Sequence, residues 1–85
     1  MYNLAWTDQP RKFLKTLPKD EALKIIKRIE TLRENPRNEN VIKLKGRDNE
    51  YRARQGNYRI RFWINDDVLT VLIIDIDHRK DAYKD

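Results

Sequence analysis

The sequence predicts a single α+β domain: an N-terminal strand, a two-helix hairpin and then an antiparallel β-meander, with the helices packed on one face of the sheet. Three observations carry that prediction. Tyr2, Leu4 and Trp6 alternate with Asn3 and Ala5; apolar residues from Phe13 to Leu32 recur at helical spacing; and three strand-like runs follow, separated by turn compositions. At 85 residues the chain supports one core, so residues 1–85 are expected to form one domain.

The first strand has one buried face. Thr7 or Asp8 can then cap a helix with Pro10 in its first turn and Phe13, Leu14 and Leu17 as its apolar stripe. Pro18 starts a second helix, in which Ala22, Leu23, Ile25, Ile26, Ile29 and Leu32 follow helical spacing. Lys19, Lys24, Lys27, Arg28 and Glu34 take the wet side, and Asn35-Pro36 ends the helix. Val41 to Leu44 is a short extended segment. Tyr51–Gln55, Tyr58–Ile64 and Val68–Ile76 form the meander, joined through Gly56-Asn57 and Asn65-Asp66-Asp67. Leu69 to Ile74 is apolar at almost every position, which predicts a central strand covered on both faces or nearly so, with the N-terminal strand beside it.

Composition narrows the function. The chain has no cysteine and one histidine, His78, so neither a thiolate metal site nor a His-rich cluster is expected, and no cofactor is implied. No apolar run approaches the roughly 20 residues of a membrane-spanning helix, and the N-terminus lacks a signal-peptide pattern, which predicts a soluble cytoplasmic protein. Against 14 acidic residues stand 19 basic ones, a net charge of +5. The excess is local: between Lys43 and Trp63 lie Lys43, Lys45, Arg47, Arg52, Arg54, Arg59 and Arg61 against only Asp48 and Glu50. Such a field favours a polyanion, nucleic acid first; the competing reading is a solvated face that serves solubility.

A two-residue loop at Gly56-Asn57 sets Arg54 opposite Arg59 and Arg52 opposite Arg61. Strand alternation then places all four arginines on one face and Tyr51, Ala53, Tyr58, Ile60 and Phe62 on the other. Like charges opposite each other destabilise a ladder by about 0.2–1 kcal/mol per pair. Asp48 and Glu50 are expected to fall outside the ladder, so an anionic ligand is the economical source of counter-charge, and guanidinium forks fit phosphate oxygens. A register slip of one residue, or ion pairs to Asp75 or Asp77, are the alternatives. Beyond the last strand the chain adds His78, Arg79 and Tyr83: an imidazole, a further guanidinium and a phenol able to stack on a base. Singly, His78 reads as a surface histidine and Tyr83 as an edge anchor. Gathered on the arginine face, the set suffices for metal-free RNA scission, in which the 2′-OH attacks the adjacent phosphorus while fixed cations hold the added charge.

Leu44-Lys45-Gly46, Tyr51-Arg52-Ala53-Arg54, Gly56-Asn57-Tyr58-Arg59-Ile60 and His78-Arg79-Lys80-Asp81-Ala82-Tyr83 together resemble the RelE/ParE superfamily of bacterial and archaeal toxins, nearer the RelE side. The likeness spans essentially the whole chain. It implies a RelE-like fold and a metal-free endonuclease that cuts messenger RNA in the ribosomal A site, silenced by a cognate RelB-like antitoxin. Carried over by position, Arg52 and Arg54 stand at two basic positions that are often lysine in relatives, Arg59 is the arginine after the hairpin loop, Arg79 lies beyond the last strand and Tyr83 stacks on a base. These five and His78 form the implied catalytic set, with Lys43, Lys45, Arg47 and Arg61 as further RNA-binding cations.

Arginine cannot readily take a proton, so where relatives offer lysine as general base the role passes to His78 or is shared with water and the ribosome. Arg61 has no counterpart role, and the sequence stops two residues after Tyr83, short of a C-terminal helix found in some relatives. A ParE-like inhibitor of DNA gyrase, acting by binding, is the alternative, and an inactive RNA-binding module a third. Trp63, Leu72, Ile74 and the outer face of the helical hairpin are the expected antitoxin docking places.

Overall fold

The computed structural model describes residues 1–46 and 48–78, in the order β1 (Asn3–Trp6), α1 (Asp8–Lys15), α2 (Lys19–Glu34), β2 (Ile42–Lys43), β3 (Glu50–Gln55), β4 (Tyr58–Asn65) and β5 (Thr70–His78). The strands form one sheet ordered β1-β5-β4-β3-β2; β2 to β5 pair antiparallel and β1 runs parallel to β5. The meander and the place of the N-terminal strand match the sequence pattern.

Helix α2 buries Ile25, Ile29 and Leu32 completely, an i, i+4, i+7 stripe. Leu23 and Ile26, expected on that stripe, are exposed at 48% and 37%. At 3.6 residues per turn they lie roughly 200° and 100° around the helix from Ile25. Thr7 occupies the N-cap position of α1, yet its side chain makes no capping bond. Its hydroxyl donates instead to the Ile74 carbonyl at 2.9 Å, fastening the helix start to β5. The helices cover the inner face of the sheet, where Ala53, Ile60, Phe62, Val71, Ile73 and Ile76 are fully buried.

β5 is not covered on both faces, as its apolar run suggested. Arg61 pairs with Asp75 but the next residue, Phe62, pairs with Ile73, so β5 carries one extra residue at Ile74. This bulge changes the phase of the strand. Val71 and Ile73 point inward on one side of it and Ile76 on the other, while Leu72 and Ile74 are only half-buried. Without the extra residue Asp75 and Asp77 would share the inner parity of Ile73; with it they face outward, opposite Arg61 and Arg59. Past the end of β1 the Gln9 side-chain amide takes over the ladder: it donates to the Ile76 carbonyl and accepts from the Ile76 N–H, both at 2.8 Å.

Tight turns complete the site's frame. Gly56 has φ of 59° and Asn57 a negative φ, the left-handed residue coming first as in a type II′ hairpin. Arg37 grips Asp66 through both Nη atoms at 3.1 and 2.8 Å, and the Tyr2 hydroxyl donates to the same carboxylate at 2.6 Å. These bonds, Arg37 first, hold the Asp66 carboxyl below the usual carboxylate range and tie the segment after α2 to the β4–β5 turn.

Candidate functional site

The predicted register is present: Arg54 faces Arg59 and Arg52 faces Arg61. The inner-face partners Ala53 and Ile60 are fully buried, so the four arginines share the outer face. Arg54 is exposed, while Arg52, Arg59 and Arg61 are half-buried. Leu44, Lys45, Arg52, Arg59, Arg61 and Asp77 line an open cleft of about 340 Å³ on this face. Its lining of four cations, one carboxylate and Leu44 is net positive.

The arginines are not equivalent: Glu50, expected outside the ladder, reaches it, and the alternative of ion pairs to Asp75 and Asp77 is present. Arg61 donates through Nη1 to Glu50 at 3.2 Å and through Nη2 to Asp75 at 3.1 Å. Partial burial works against its charge, but the Asp75 hydrogen bond and the fields of Asp75 and Glu50 outweigh this, so its pKa rises. Arg59 donates through Nε to Asp77 at 3.2 Å. Glu50, expected outside the ladder, opens β3 opposite Trp63, is only 6% exposed, and also accepts the Trp63 indole N–H at 3.2 Å. Cross-strand acids of β5 thus compensate the β4 arginines. Arg54 forms no ion pair among the described residues.

His78 does not join the cleft. The register sets it beside Tyr58, whose buried ring meets the imidazole edge-on at 5.1 Å. Tyr58 packs on the helix side, its hydroxyl donating to Glu21 of α2 at 3.1 Å. Lys43 likewise pairs with Tyr51, whose face is the helix side, while Lys45 reaches the cleft. Arg47, Arg79 and Tyr83 lie outside the described residues.

Glu50 and Gln9 are the contributors that the sequence does not reveal, whereas the ion pairs to Asp75 and Asp77, one of the alternatives the sequence offers, are the ones the structure adopts. The β5 run itself does not mark the bulge: Val71 and Ile73 keep one parity, but Leu72, Ile74 and Ile76 are apolar on the other, which a regular strand would satisfy equally well.

Beside the ladder lies an apolar groove lined by Ala5, Trp63, Asn65, Val68, Thr70 and Leu72, where Trp63 is 48% exposed. It covers part of the docking surface expected from the sequence, with Ile74 half-buried nearby on β5. No described helix is long and apolar enough to cross a membrane.

Over residues 4–83 the chain matches the family described as ParE toxin of type II toxin-antitoxin system, parDE. A Methanocaldococcus jannaschii protein provisionally named toxin RelE1 is 37% identical over 76 residues, covering 86% of this chain and 84% of the relative. Among solved structures, the archaeal RelE-RelB complex from Pyrococcus horikoshii OT3 is similar with a TM-score of 0.80 at 30% identity, covering 92% of this chain and 94% of the other. The RelB-RelE antitoxin-toxin complex from Methanococcus jannaschii superposes with a TM-score of 0.75 at 31% identity, covering 94% and 95%.

Proposed function

Because the chain belongs to the ParE toxin family, a RelE-like toxin of a toxin–antitoxin system, we propose that it is a metal-free endonuclease that cuts messenger RNA in the ribosomal A site and so halts translation in the cytoplasm. The observation that carries this reading is the cleft of Lys45, Arg52, Arg59 and Arg61, in which like charges sit opposite one another across β3 and β4. Glu50, Asp75 and Asp77 compensate Arg61 and Arg59 in part, and a sugar-phosphate chain laid along the cleft supplies the remaining counter-charge for Lys45 and the arginines.

In the proposed reaction the guanidinium groups hold the scissile phosphate, and their fixed charge stabilises the phosphorane formed when the ribose 2′-oxygen attacks. Arg59 suits this role because Asp77 holds its Nε and, among the described residues, neither Nη group is bonded, so both can meet phosphate oxygens. Arg52 and Arg54 extend the positive track on β3. Arg79 is assigned a second phosphate contact and Tyr83 the stacking of a base, both from family position. A RelB-like antitoxin is the proposed protein partner, laying an apolar segment against Trp63 and Leu72 and acidic residues over the cleft.

Mapping 5′ ends of transcripts on programmed ribosomes tests the reading. Cuts in phase with codons are expected, and Arg59→Ala should lower their rate by about 10²–10³-fold, the loss typical of one preorganised donor, while the melting curve stays close to wild type. Intact message together with inhibited gyrase supercoiling would replace it with the ParE-like alternative.

A further inference from the structure

Transesterification by a ribose 2′-hydroxyl needs a proton acceptor next to the group that clamps the phosphate, because the 2′-oxygen and the 3′-phosphate belong to one nucleotide. The cleft's arginines cannot accept a proton, and Lys45 brings another cationic donor. His78 stands beside Tyr58 on the helix side. Three described carboxylates share the arginine face, and two of them are committed elsewhere. Glu50 is buried with Oε2 on Arg61 and Oε1 on Trp63. Asp75 is engaged by Arg61 and does not line the cleft.

Asp77 does line it. Its side chain is 34% exposed, and Oδ1 accepts from Arg59 Nε at 3.2 Å, while among the described residues no donor bonds Oδ2. We infer that Asp77 is the general base of the cleavage step, an assignment that rests on the messenger-RNA reading above. The β5 bulge is the device that makes it so, since it turns residue 77 from the core parity to the cleft. Oδ2 takes the 2′-hydroxyl proton as the 2′-oxygen bonds to phosphorus. The bond from phosphorus to the 5′-oxygen breaks, and that oxygen leaves with a proton from water. Asp77 returns its proton to the resulting hydroxide. The products are a 2′,3′-cyclic phosphate and a 5′-hydroxyl end.

The charged groups facing Asp77 are Arg59 and Arg61 of β4, Arg52 of β3 and Lys45 after β2, with Asp75 on its own strand. The cross-strand residues lining the cleft are cations, and Glu50, Asp75 and His78 are the other acid–base groups nearby, so it is the change in the acid limb on substituting Asp77 that makes the assignment. The test is single-turnover cleavage of message on programmed ribosomes across pH, for wild type, Asp77→Asn and Asp77→Glu. Asn keeps an oxygen for Arg59 Nε and removes the base. The expected result is a rate at least about 10²-fold lower for Asp77→Asn, message binding unchanged or tighter, and an acid limb that is lost in Asn and restored in Glu. A rate within threefold of wild type, or a slower rate that keeps the same acid limb, overturns the assignment; the second outcome leaves Asp77 a holder of Arg59. Wild-type protein that cuts nothing overturns the cleavage reading and this assignment together, which separates the two failures.

Discussion

The two faces of β3, β4 and β5 share one backbone and obey different physics. On the helix side Ala53, Ile60, Phe62, Val71, Ile73 and Ile76 have no exposed surface and belong to one apolar and aromatic core cluster. On the outer side the same strands present Arg52, Arg54, Arg59 and Arg61 with Glu50, Asp75 and Asp77. The inner face is satisfied by the protein alone. The outer face is satisfied in part: its Arg61 end closes on two carboxylates, while its Arg54 end opens to solvent. The contrast teaches that stability and charge were placed on opposite sides of one sheet, and that compensation by the protein's own carboxylates falls off along a gradient from Arg61 to Arg54 among the described residues.

Substitutions can break or sharpen that division. Phe62→Ala should cost the most, about 3–5 kcal/mol of unfolding free energy by urea denaturation, because a fully buried ring leaves a cavity under the sheet. Glu50→Ala is the outer-face change that should resemble a core change. It strips an acceptor from Arg61 and Trp63 and should cost about 1–3 kcal/mol by the same measurement. A cost near zero would place Glu50 with the ligand-binding groups and blur the gradient. Arg54→Ala should go the other way, raising stability by a few tenths of a kcal/mol to about 1 kcal/mol as the repulsion from Arg59 is relieved. Its affinity for single-stranded RNA should fall and the salt dependence weaken, the log–log slope shrinking by roughly 0.7 for the one lost phosphate contact. A destabilised Arg54→Ala would mean that the open end of the ladder is held by the fold after all.

Much of this was legible in the residue order. The two-residue loop at Gly56-Asn57 determined the register, and register determined that Arg52, Arg54, Arg59 and Arg61 emerge together, because side chains alternate with a period of two. The α2 stripe was legible only through Ile25, Ile29 and Leu32; Leu23 and Ile26 share its spacing loosely and fall outside it. His78 falls beside Tyr58 on the helix side, a position its chemistry does not reveal because parity beyond Ile74 depends on the bulge.

Composition and periodicity by themselves thus determined the element order, the inward and outward sets of the β3–β4 hairpin and the concentration of positive charge. Tertiary structure alone decided which acids meet which arginines. Ion pairing across strands depends on the phase of β5 relative to β4, and one extra residue reverses that phase without altering composition or hydropathy. Local pattern specifies which way a side chain points along its own strand; only the pairing of strands specifies what it finds there.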